Sequence, residues 1–175
     1  MFTITPTNPE TYRQQTRRIT LFIAGGFILL TLLLSTATVK LFGTPGGDNF
    51  RWNLIGVLVG LALTIALVRL HLWSQPWMAP AVYGWRLKRS LMRVTNIMHH
   101  VKTAVAAGDP VAMKLLRFYH LGVTQMHQLD GNSSDHSQMT REIDQHREAM
   151  TAAGLDTEQN HLDPAWLEAV RRFDQ

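Results

Sequence analysis

Two long apolar runs joined by a short polar segment limit what this chain can fold into. Residues 19–39 carry no charge over 21 positions, and residues 54–70 carry none before Arg69. At ~1.5 Å of rise per residue the first run is roughly 30 Å long as a helix, the thickness of a bilayer's hydrocarbon core. Extending the second run to 53–72 gives a comparable length. The polar members of the first run are Thr20, Thr31, Ser35, Thr36 and Thr38, whose hydroxyls can bond to their own helix carbonyls. Phe50 and Trp52 precede the second run and Trp73 and Trp77 follow it, as an interfacial aromatic belt would. The pattern predicts a transmembrane hairpin over 19–72.

Two rival readings exist. Arg13, Arg17 and Arg18 followed by an apolar stretch and Ser35-Thr36-Ala37 resemble a cleaved signal peptide. The apolar run is longer than such a segment needs, and a second run follows closely. A buried hairpin in a soluble protein is the other rival, and the length and lack of charge of both runs oppose it.

Charge sets the expected orientation. Residues 1–102 hold 11 Lys and Arg against two acids, Glu10 and Asp48, whereas residues 103–175 hold 6 against 11. That distribution does not suit a nucleic-acid-binding protein, and no nucleic-acid partner is expected. It suits a chain touching anionic lipid headgroups with Arg17, Arg18, Arg69, Arg86, Lys88, Arg89 and Arg93. The loop between the runs has only Lys40 and Arg51. The asymmetry places both termini in the cytoplasm and turns the loop at Gly43–Asp48 outside. For the basic run over 86–93, ordinary positive-inside bias is favoured over a lipid- or acid-binding role, because orientation alone demands such a cluster. Arg69 lies near the end of its run, where it can snorkel.

Gly56 and Gly60 form a GxxxG, continued by Thr64, and the first run offers Ala24, Gly25 and Gly26. Small residues permit close helix approach. They can serve a homodimer or the packing of the two runs on each other, and the short loop favours the second.

After a bent connector at 73–80, broken by Pro76 and Pro80, residues 81–175 read as a small helical bundle. A long helix is expected over 81–107, with Leu87, Leu91, Val94, Met98, Val101 and Val105 at alternating spacings of four and three. Gly108-Asp109-Pro110 then supplies a helix stop, an N-cap and a first-turn proline. The next helix, to about Leu129, repeats the spacing, so the two form an antiparallel hairpin. A loop over 130–134 leads to a third helix, from about Ser134 to Ala153, and Asp163-Pro164 caps a short last one bearing Trp166, Leu167, Val170 and Phe173. The fold class expected is all-α: a two-helix transmembrane hairpin after a basic tail at 1–18, then the bundle.

Chemistry has few footholds. There is no Cys, hence no disulfide, thiolate ligand or Cys nucleophile. No phosphate-binding loop, GxSxG or HExxH occurs. His99, His100, His120 and His127 invite a metal-site reading, but adjacent histidines diverge by about 100° on a helix. His120 and His127 are two turns apart, and His146 falls on an apolar stripe, where a hydrogen-bonded core histidine is expected. No catalytic, cofactor or metal residue is assigned.

Trp52-Asn53-Leu54-Ile55-Gly56-Val57, Arg69-Leu70, Val82-Tyr83-Gly84-Trp85-Arg86-Leu87-Lys88 and Gly108-Asp109-Pro110-Val111-Ala112-Met113 resemble a family of short two-span bacterial membrane proteins. The resemblance runs from Tyr12 to about Leu167. That family is a domain of unknown function. The resemblance implies a gammaproteobacterial inner-membrane protein with a cytoplasmic helical domain, and no activity or site. The function expected is a non-enzymatic two-pass inner-membrane anchor whose helical domain binds a protein partner. The alternatives are a homo-oligomeric scaffold packed through Gly56 and Gly60, or a membrane-bound metal- or ligand-dependent enzyme using His99, His120 or His127.

Overall fold

The computed structural model describes residues 1–131 and 137–173. The chain is essentially all-α and forms two compact units: residues 14–82, and residues 1–13 together with 83–175. The basic tail expected over 1–18 therefore divides between the units. The loop over 132–134 and the expected helix start at Ser134 lie outside the described residues.

Helix α1 spans Pro9–Phe42, its residues from Gln14 onward belonging to the first unit, and helix α2 spans Phe50–Leu67. Local chemistry explains where α1 starts. Asn8 Oδ1 accepts from the Glu10 and Thr11 amides, both at 3.0 Å, and Pro9 takes the first helical position. The turn between the helices is tied by Asn49, whose Oδ1 accepts from Thr44 N at 2.9 Å and whose Nδ2 donates to Thr44 O at 3.0 Å. Gly46 supplies the left-handed backbone there, at φ +72°. A π-turn, Val68–Leu72, continues α2, and a 3₁₀ turn, Pro76–Met78, leads into helix α3, Ala79–Thr95. The apolar windows of α1 and of Phe50–Leu72 have a mean hydropathy of 2.2, and only 11% of each window is buried inside the molecule.

In the second unit, α3 is followed by α4 (Met98–Ala106), α5 (Pro110–Asp130), α6 (Ser137–Ala152) and α7 (Pro164–Arg171). The single helix expected over 81–107 is interrupted at Asn96-Ile97. Ile97 sits at φ −120° and ψ 18°, outside helical geometry, and its side chain is buried. Thr95 and Asn96 are weak helix formers, so burial of Ile97 offsets a small loss of helix. The Gly108-Asp109-Pro110 stop is as the sequence predicts. Gly108 has φ +79°, and Asp109 accepts from Ala112 N at 2.7 Å. Asp163 caps α7 in the same way, accepting from Ala165 N at 2.9 Å.

The core of this unit is one apolar cluster centred on α5. Phe118, Leu115, Leu129, Leu87 and Val101 are almost completely buried in it. Leu162, Leu167 and Val170 close it from the C-terminal side. At Gly122 an added Cβ would lie 2.7 Å from Leu91 Cδ2, so α3 crosses α5 where the glycine leaves room. A two-stranded antiparallel ribbon ties in the first residues. Phe2 pairs with Leu162 and Thr3 with His161, and Ile4 N donates to Asn160 O at 2.7 Å. The Tyr83 hydroxyl accepts from Thr5 N at 3.1 Å and donates to Gln125 Oε1 at 2.5 Å, while Gln125 Nε2 donates to Thr5 O at 2.6 Å. Tyr12 is buried with the core, its hydroxyl against the open face of Gly84.

Candidate functional site

The hairpin unit has an inner face made of small residues. Gly56 and Gly60 are its buried positions on α2. A Cβ on Gly56 would run into the Ser35 backbone, and one on Gly60 would lie 2.6 Å from Thr31 Cγ2. Both glycines are therefore filled by the chain's own α1. Ser35 Oγ donates to Asn53 Oδ1 at 2.7 Å, and Thr38 Oγ1 lies 2.8 Å from Trp52 O, so polar contacts reinforce the loop end. Phe42 and Trp52 stack there at 5.1 Å. Gly25 and Gly26 are not used in this way: an added Cβ would meet nothing within 4 Å at either. On α1, Thr31, Ser35 and Thr38 take the role that the sequence offered to Ala24, Gly25 and Gly26.

Toward the other end Ile19 is buried with Met78 and Val82, and Ile23, Val68 and Leu72 pack against them. A cavity of about 270 Å³ lies between α1 and α2, walled by Gly26, Leu30, Thr64 and Leu67. A larger one of about 960 Å³ adjoins Arg18, Gln15, Trp77 and Pro80, and both cavities have Phe22 and Leu72 in their walls. Phe22 and Trp77 meet edge to face, with centroids 5.5 Å apart.

The basic residues singled out by the sequence are exposed but not equivalent. Arg17 and Arg18 lie on α1, just before the uncharged run. Arg69 lies over the Trp73 ring at 5.1 Å, a cation–π contact at the end of the second apolar stretch. In the other unit Arg89 lies over Trp85 at 5.0 Å, and Lys88 Nζ pairs with Asp130 at 3.0 Å. Arg86 and Arg93 are exposed on α3.

The histidines are arranged differently from the grouping that the sequence suggested. His99 is exposed, and its ring lies 5.9 Å from that of His100. His120 instead meets His146 edge to face at 5.2 Å, within the helical core. His146 Nε2 lies 2.9 Å from Met113 O, which fixes the proton on Nε2. His120 Nδ1 is buried and has no hydrogen-bond partner among the described residues. Burial, with His146 and Arg117 adding to it, pushes the His120 pKa down to about 4, and burial also lowers that of His146. Both rings are neutral at pH 7. Arg117 is buried beside them and donates from Nε to Thr157 O at 2.8 Å. Sequence reasoning missed Arg117, because a lone cation on a helix reads as solvated. Among the described residues no three His, Asp or Glu side chains gather as metal ligands.

Fold and surface define an all-α chain in which two helices are long and apolar enough to cross a membrane. The chain belongs to the family described as Protein of unknown function (DUF3087), which matches residues 2–167. No curated protein and no solved structure matches it.

Proposed function

We propose that the chain is a two-pass protein of the bacterial inner membrane, with both termini cytoplasmic. Its hairpin anchors a non-enzymatic helical domain that binds a protein partner. One observation carries the membrane reading. The apolar side chains of the hairpin point outward, with Leu21, Phe22, Leu32 and Leu33 each more than 60% exposed. A soluble hairpin would bury such residues, and an apolar surface of this extent is stable only against lipid or protein. The excess of Arg and Lys flanking the runs over those in the loop supports the orientation. The separate, well-packed helical unit supports the role as a presented domain. A scaffold assembled through Gly56 and Gly60 would first have to displace α1 from both glycines.

The absence of native Cys makes the topology directly testable. With Thr44→Cys in the loop, intact cells should label with a membrane-impermeant maleimide. With Thr151→Cys on α6, labelling should require lysis. Reversed labelling sinks the orientation, and release of the chain by alkaline carbonate sinks the membrane anchor. In-membrane crosslinking from α6 and α7 should then recover one specific partner, and recovery of background proteins alone counts against an interaction domain.

A further inference from the structure

We infer that the hairpin holds one anionic glycerophospholipid at its charged end, with the phosphate on Arg18 and an acyl chain along Phe22 and Leu72 into the cleft between α1 and α2. This rests on the membrane-spanning reading and adds a built site to it. Four observations converge. The larger cavity, about 960 Å³, lies beside Arg18, immediately before the first uncharged residue, Ile19. In a spanning hairpin that level is the headgroup region. Its wall contains no acid, and Arg18 makes no ion pair among the described residues, so the cavity presents one uncompensated cation with Gln15 beside it. A guanidinium suits a phosphodiester because its planar donors can pair with two phosphate oxygens.

The rest of the wall is apolar. Phe22 and Leu72 belong both to this wall and to that of the smaller cleft of about 270 Å³. At Gly26, in the wall of that cleft, an added Cβ would meet nothing within 4 Å. A headgroup-level cation beside an apolar slot matches a lipid's own division into phosphate and chain. A soluble anion would use the first part and leave the second empty. A detergent-like neutral lipid would use the second and leave Arg18 unmatched. Trp77, edge-on to Phe22, gives the mouth a rigid amphipathic border of the kind that settles at headgroup depth.

The test uses the full chain in phosphatidylcholine bilayers containing a minor fraction of phosphatidylglycerol. Native mass spectrometry reads the lipid retained on the protein after release. The wild type should retain phosphatidylglycerol well above its share of the bilayer. Arg18→Gln, a change at an exposed position, should cut that retention about fivefold, while Arg17→Gln leaves it unchanged. Gly26→Phe fills the cleft and should lower retention with Arg18 intact. Retention in the bilayer's own ratio, or equal losses from Arg17→Gln and Arg18→Gln, overturns the site. Wild-type chain that alkaline carbonate releases from membranes overturns the spanning reading and the site with it. Chain that stays in the membrane but shows no anionic preference overturns the site alone.

Discussion

The two units use the same secondary structure and opposite packing rules. In the helical unit, large side chains such as Phe118 and Leu115 point inward and charges, Arg117 apart, stay out of the core. On α2 of the hairpin, the buried positions belong to Gly56 and Gly60, while Leu58, Leu63 and Ile65 point outward. On the membrane-spanning reading proposed above, the difference follows from the medium. Water rewards burial of apolar area, so a helix in water turns its bulk inward. Lipid offers no such reward, so helices there gain by close approach and by hydrogen bonds such as Ser35 to Asn53. Periodicity alone therefore describes a helix without saying which way its large residues face.

Substitutions that act on one unit and spare the other can break or sharpen this contrast. The largest effect is expected at Phe118, which is fully buried. Phe118→Ala should cost about 3–5 kcal/mol, and denaturant unfolding in mild detergent should show the helical unit melting early. The contrast breaks if crosslinking across the hairpin weakens equally.

Acid should come second, again in the helical unit alone. His120 binds its proton only near pH 4 when folded but near 6.5 when unfolded. The unfolded state therefore takes up the proton first as pH falls, and His146 shifts in the same direction. Stability is complete above pH of about 6.5 and is lost progressively toward about 4, by a few kcal/mol in total. His120→Leu should flatten that slope in thermal melts followed between pH 7 and about 4. An unchanged slope would put the acid sensitivity elsewhere.

In the hairpin, Gly56→Leu should cost about 1–3 kcal/mol, because the new side chain meets the Ser35 backbone. Gly25→Leu should stay within about 0.5 kcal/mol. Crosslinking between cysteines placed at Ser35 and Asn53, followed through an SDS titration, reads both. Equal losses would mean that the helices pack on a different face. The smallest effect is expected from Asp109→Ala, which removes the α5 cap for about 1 kcal/mol. A thermal melt resolves it, and Asp163→Ala on the short α7 should match it within a factor of two.

Much of this fold is legible where the signal is local. The two runs, the Gly108-Asp109-Pro110 stop, the Asp163 cap and the Leu87–Leu91–Val94 stripe all depend on residues within a few positions of one another. What was hidden depends on distant partners. The ribbon pairs residues 2–3 with 161–162, a match no local pattern announces. The break at Asn96 exists because the core has room for Ile97, and the burial of Arg117 depends on the Thr157 carbonyl 40 positions away. The histidines show the same limit. Spacing grouped His120 with His99 and His127, whereas helix packing set it against His146. The cavity at Arg18 was half legible: the cation and the nearby Trp77 stand out in the sequence, while the turn that brings residues 76–80 beside α1 does not.

The ribbon also bears on how the protein is made. Residues 2–5 complete the helical unit only when 160–162 and Tyr83 are present to receive them. During synthesis, the first strand must wait unpaired while nearly the whole chain emerges. The hairpin lies between those partners in sequence and is complete long before then. If the hairpin spans a membrane as proposed, insertion precedes closure, and the ribbon is a late latch on an already anchored protein. A chain truncated before His161 should insert normally yet leave its opening residues open to proteases.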